Sequence, residues 1–248
     1  MKGLEKFKEY FQGYENYYVI IGGTACVLLN EEAGLDFRAT RDIDMVLIVE
    51  NMDENFVKHF WQFVQMGEYQ NVYRGEHHKN FYRFQKPLHE GFPIMIELFS
   101  RRPTHYSLYP KSHLLPLHIA DDISSLSAIL LDDDYYYFLK NGIRIVSGMP
   151  VLDEEHLIPF KAKAWCELTD RKLSGESGLT KHIKKHLKDI ITLSRLIAVN
   201  HEVKLEGKVA KDMERFIKDV QIMNSDNQLI KDICNNLSIH YLIEKVNI

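Results

Sequence analysis

The sequence has little of what marks a secreted, membrane-embedded or nucleic-acid-coating protein. Among 248 residues there are three cysteines, Cys26, Cys166 and Cys234, far apart and odd in number. That usage excludes a disulfide framework and predicts buried free thiols in a reducing compartment. No apolar run approaches the roughly 20 residues that span a bilayer, so no membrane partner is expected. Met1 to Phe11 is charged and amphipathic with no signal-peptide hydrophobic region, and the expected location is cytoplasmic. A dominant charge is lacking as well. With 31 Lys and Arg against 35 Asp and Glu, the net charge of −4 argues against a surface built throughout for nucleic acid, while leaving room for a local basic patch. There is no Walker A loop, no serine nucleophile elbow, no paired C-x-x-C and no internal repeat.

What is present is an ordinary globular composition, 45% apolar and 27% charged, long enough for one large domain or two modest ones. The first half alternates strand and helix. Helical spacing covers 4–13, and an aromatic and β-branched run, Tyr17 to Ile21, stops at Gly22-Gly23 before a helix beginning near Thr24. Asp42 to Val49 is apolar after its acidic start, as a buried strand is, and 53–66 returns to helical spacing. Phe81 to Gln85 and Pro93 to Phe99 read as strands, 100–123 as an irregular crossing segment, and Ser124 to Leu131 and Gly142 to Val146 as extended. The run 132–137 is a turn followed by either a short helix or a strand. From Asp153 the pattern becomes helical over 154–172, 180–199, 207–222 and 226–245. The fold class expected is α/β (α+β): a mixed sheet with flanking helices over 1–150, then a helical domain over 151–248 that closes a cleft.

Asp42-Ile43-Asp44 opens a strand, so period-2 geometry puts both carboxylates on one face and turns Ile43 into the core. Two like charges about 7 Å apart repel and resist desolvation, and a divalent cation between them removes both penalties. An all-oxygen site suits Mg²⁺ or Mn²⁺. The plainer reading is two solvated aspartates at a strand end. Upstream, Gly22-Gly23-Thr24 follows a strand and opens a helix, where outward N–H groups and absent side chains favour a phosphate. That step is also consistent with a simple tight turn. In the helical half, spacing at about 100° per residue puts Lys161 in the apolar stripe of Leu157, Ile158, Phe160, Ala164, Trp165 and Leu168. Such a lysine needs a polar partner: a phosphate or carboxylate in a cleft, a structural ion pair, or solvent reached by snorkelling. Its neighbour Lys163 points away and is expected to be solvated. His182 and His186 have helix zinc-ligand spacing, but no glutamate follows His182 and no third ligand is near in sequence, which speaks against zinc hydrolysis.

The order Gly22-Gly23-Thr24-Ala25, then Arg38-x-Thr40-x-Asp42-Ile43-Asp44, resembles the DNA polymerase beta-like nucleotidyltransferase superfamily. Within it, the sequence is most similar to the abortive-infection type E nucleotidyltransferases, a group that includes toxins of toxin–antitoxin pairs. The likeness runs over roughly 17–190 and is strongest over 20–47. It implies that Gly22, Gly23 and Thr24 lie under the triphosphate and that Asp42 and Asp44 are the first two metal-binding carboxylates. The superfamily's third carboxylate, on a later strand, corresponds to Glu97, a lone charge in the run Pro93 to Phe99; the other reading of Glu97 is a salt bridge to Arg101 or Arg102. The Gly23-to-Asp42 gap is longer than is usual there, implying an inserted loop at 30–38 near the site, and the superfamily more often has Asp at the third position. Leu157 to Ala164 resembles the type E group's third motif, which assigns Lys161 to the nucleotide site. The basic-acidic cluster of the next helix then falls at 185–190, with Asp189 as the matching acid. The activity implied is metal-dependent transfer of a nucleoside monophosphate from an NTP to a hydroxyl on RNA (a tRNA end), protein or a small molecule. A cognate antitoxin is an implied partner. The rival expectation is an NTP-binding regulator that does not turn nucleotide over, and the plainest is a structural α/β protein with no ligand.

Overall fold

The computed structural model describes residues 2–51, 53–71, 82–99, 132–198, 201–224 and 226–243. The readings made above for 100–123, for Ser124 to Leu131 and for Arg101 and Arg102 fall outside these residues. By contacts the chain divides into two units, Met1–Leu131 with Ile143–Asp153, and Asp132–Gly142 with Glu154–Ile248. The sequence suggested one boundary near residue 150; the contacts assign the segment Asp132–Gly142, ahead of that point, to the helical unit.

The first unit is built on a mixed sheet. Its elements in chain order are α1 (Leu4–Tyr10), β1 (Tyr18–Ile21), α2 (Gly22–Glu32), β2 (Asp42–Leu47), α3 (Glu54–Met66), β3 (Gln70–Asn71), β4 (Tyr82–Gln85) and β5 (Met95–Phe99). Two strands from later in the chain, β6 (Ile143–Val146) and β7 (Met149–Leu152), complete the order β3-β4-β5-β2-β1-β7-β6. The pairs β2–β5 and β1–β7 are parallel and the remaining pairs antiparallel. β7 escaped the sequence reading because it is only four residues long, buried throughout with no alternation, and carries Pro150.

Register sorts the residues of the central strands by face. Tyr18 and Ile20 pair with Leu47 and Met45, and Ile43 with Ile96. Phe84 pairs with Ile96 in turn. On this face α1 and α3 supply an aromatic layer in which Phe7 meets Tyr18 and Phe63 edge-on, and Phe60 and Trp61 meet Phe84. Burying aromatics of this size dominates the core energetics and fixes which way β2 faces. Asp53 caps α3 by accepting the Phe56 N–H.

The second unit holds α4 (Asp133–Asn141), α5 (Glu154–Leu173), α6 (Thr180–Leu193), β8 (Val203–Leu205), α7 (Gly207–Met223), α8 (Gln228–His240) and β9 (Tyr241–Ile243). The run 132–137 resolves as helix: Asp132 accepts the Asp134 N–H as N-cap, and Tyr135 is buried against Phe160 with its hydroxyl on Asp212. The last helix is shorter than its spacing suggested. Tyr241 to Ile243 leave it to pair in parallel with Val203 to Leu205, a long-range match that local periodicity does not report. α5 carries Pro159 in its interior, which removes the N–H that would bond the Glu155 carbonyl. The Tyr241 hydroxyl donates to that carbonyl at 2.6 Å instead. All three cysteines are buried free thiols. No described helix is long and apolar enough to cross a membrane.

Candidate active site

β2 places the acidic pair. Ile43 is fully buried on the aromatic side, so Asp42 and Asp44, both half-buried, share the opposite face. Asp44 pairs with Ile21 of β1 on one side and with Glu97 of β5 on the other. Paired residues of adjacent strands project to the same face, so the three carboxylates singled out from the sequence lie on one face of neighbouring strands.

The glycine step meets this face. α2 begins at Gly22, whose φ is +71°, and a Cβ there would lie 1.9 Å from Asp44 Oδ2. Only a glycine both adopts that backbone and admits the carboxylate. At Gly23 a Cβ would come within 2.8 Å of Thr40 Oγ1, with Arg38 Nη2 next at 3.8 Å. The long connection from α2 to β2 thus brings Arg38 and Thr40 against the helix start. Thr24 is fully buried, and its hydroxyl donates to the Asp42 carbonyl at 2.5 Å, which ties the first turn of α2 to the first residue of β2.

Glu97 has a partner that the sequence did not reveal. Arg83 of β4 is its register neighbour, and the guanidinium Nε and Nη2 both approach Glu97 Oε1. Arg83 lies in a strand that was recognised, but its placement beside Glu97 depends on a cross-strand register set by distant residues. The carboxylate oxygens of Asp42 and Asp44 are the hard donors that a divalent cation takes. Glu97 is held toward Arg83, and among the described residues no three His, Cys, Asp or Glu side chains group closely enough to hold a metal ion.

The two candidates from the helical half meet each other. Lys161 of α5 and Asp189 of α6 form an ion pair, Nζ to Oδ2 at 3.1 Å, with side chains 4% and 1% exposed. His186, one turn before Asp189, has its Nδ1 buried without a hydrogen-bond partner. Burial, and then the Lys161 charge, push the His186 imidazolium down to a pKa of about 3. The unfolded chain takes up this proton below about 6.5 while the folded chain does not, so the contribution is complete above that pH and lost as pH falls toward 3. The melting temperature should therefore fall more steeply between pH 7.5 and 5.5 in wild type than in His186→Gln; parallel profiles would refute this. Lys163, expected in solvent, instead pairs with Asp212 at 3.0 Å and Glu167 at 3.3 Å. The sequence spacing gave its direction correctly but not the neighbouring helix, α7, that supplies Asp212.

No model of a known protein family matches the chain, and no curated protein matches it. The chain is similar to an antigenic nucleotidyltransferase-like protein from Paracoccidioides brasiliensis, at 14% identity over 94% of this chain and 90% of that one, with a TM-score of 0.49. It is also similar to the antibiotic-resistance factor ANT(2'')-Ia, at 12% identity over 90% and 94% of the respective chains, with a TM-score of 0.40. Likeness at this level carries no argument about function, which has to be read from side chains.

Proposed function

We propose that the first unit is a nucleotidyltransferase that moves a nucleoside monophosphate from an NTP to a hydroxyl acceptor. The observation that carries this reading is the shared face of Asp42, Asp44 and Glu97, with Asp44 Oδ2 packed against Gly22 where α2 opens. The motif order of the type E group supports the same reading, along with a cognate antitoxin as partner and a cytoplasmic setting. In this reading Gly22 and Gly23 let the triphosphate approach the main chain, and the N-terminus of α2 favours its charge. Thr24 holds that turn to β2 through its hydroxyl. Asp42 and Asp44, with Glu97, are the residues that would hold Mg²⁺ or Mn²⁺. When bound, the cation supplies positive charge against the triphosphate and acidifies the acceptor hydroxyl. The acceptor oxygen attacks the α-phosphorus, the bond to the β-phosphate oxygen breaks, and pyrophosphate leaves; the acceptor proton passes to a carboxylate, Glu97. The acceptor classes are an RNA end such as that of tRNA, a protein hydroxyl or a small molecule.

A second reading, an NTP-binding regulator without turnover, is favoured by the Arg83 ion pair on Glu97, which withholds the third carboxylate. Thermal melting with each of the four NTPs, with and without Mg²⁺, tests the site in both readings. Wild type should gain about 2.7 kcal/mol with a preferred NTP at a hundred times its Kd, and the double variant Asp42→Ala/Asp44→Ala should gain nothing. Release of pyrophosphate then separates the enzyme from the regulator. Absence of any shift at millimolar NTP would reduce the acidic pair to a strand end.

A further inference from the structure

Glu97 lies between two neighbours of opposite sign. Asp44 of β2 is its partner on one side and Arg83 of β4 on the other, all on the same face of the sheet. Glu97 is turned to the arginine. The guanidinium engages one carboxylate oxygen through two nitrogens, and the two side chains are 20% and 13% exposed, so the pair is largely shielded from water. A guanidinium contact of this kind is charge-assisted and more directional than a lysine contact. For Glu97 to join Asp42 and Asp44 its carboxylate must turn from the β4 side to the β2 side, across a strand spacing of about 4.8 Å.

We propose that Arg83 is a positioning residue that holds the third carboxylate in reserve, competing with a divalent cation for Glu97. This rests on the nucleotidyltransferase reading of the Asp42–Asp44 face. The physical reason is that a guanidinium and a divalent cation offer the same thing to a carboxylate, and Glu97 cannot face both neighbours at once. Arg83 also places a positive charge one strand from Glu97, and this charge opposes a cation arriving at the neighbouring aspartates. With Arg83 in place Glu97 is neutralised without metal; without it, Glu97 and Asp44 become adjacent like charges that favour a cation between them.

Binding of Mn²⁺ alone, followed by titration calorimetry and by loss of the free-ion electron paramagnetic resonance signal, tests the proposal without any assay of activity. Arg83→Gln should bind Mn²⁺ at least about tenfold more tightly than wild type, the change that one pK unit of electrostatic coupling produces. Glu97→Gln should weaken binding in the wild-type background, by leaving the Arg83 charge uncompensated, and remove the gain in the Arg83→Gln background. Arg83→Lys, which keeps the charge and loses the guanidinium, should show a smaller gain in the same direction and carries the test if Arg83→Gln does not fold. An unchanged affinity, or a gain over wild type that persists in Arg83→Gln/Glu97→Gln, would overturn the proposal, the latter by showing that the gain does not pass through Glu97. If wild-type Mn²⁺ binding is lost in Asp42→Asn/Asp44→Asn while the Arg83 variants show no gain, the reserve is refuted and the nucleotidyltransferase reading stands. Mn²⁺ binding indifferent to both aspartates in every variant overturns both.

Discussion

Gly22→Ala is expected to abolish the Mg²⁺-dependent NTP stabilisation proposed for the first unit and to lower its melting temperature by roughly 5 °C or more. Two effects combine at this position. A side chain at φ +71° costs about 1–2 kcal/mol in the left-handed region. The new Cβ would also sit 1.9 Å from Asp44 Oδ2, so either the helix start or the carboxylate must move, and overpacking of this kind costs about 1–3 kcal/mol. Gly13→Ala separates the two. Gly13 has φ +89° but nothing within 4 Å of a Cβ, so its variant should show the backbone penalty and keep the full NTP response. Calorimetric melting of both variants with and without Mg²⁺ and nucleotide makes the comparison. A Gly22→Ala protein that still responds to NTP as wild type does would remove the glycine from the proposed phosphate site.

Lys161→Met should destabilise the helical unit by about 3–5 kcal/mol, because it leaves the Asp189 carboxylate in the core without its ammonium. The geometry behind this is the 3.1 Å contact between two side chains that are at most 4% exposed. Lys161→Met/Asp189→Leu should recover much of the loss, since replacing both charges by apolar groups also removes their desolvation penalty. Denaturant titration of the three proteins gives the stabilities. The double variant also tests the nucleotide role that the type E likeness implies for this pair: a stable protein with an unchanged NTP response would make the pair structural only. A Lys161→Met protein as stable as wild type would contradict the burial argument itself.

Part of the candidate site's geometry was legible in the sequence. The two-residue period of a strand dictates that Asp42 and Asp44 share a face, and the buried Ile43 between them agrees. The α/β character of the first half and the helices of the second followed from spacing, as did the need of Lys161 for a polar partner. These are local properties, decided within one strand or one helix turn. The run 132–137 was not legible in this way, because its helix is set by Tyr135 packing on Phe160 and reaching Asp212 far along the chain.

The sequence by itself determined which residues carry charge into apolar surroundings and which way each points along its own element. Only the tertiary structure decided their partners. Glu97 meets Arg83 because β4 pairs with β5 in one register, and a shift of one residue would send Arg83 to the other face. Lys161 meets Asp189 because α5 packs on α6, and Tyr241 reaches the carbonyl freed by Pro159 because the chain end turns from helix to strand. Each of these joins residues far apart in sequence. Their pairing is selected by the burial of whole faces, a sum over many contacts that no local window contains.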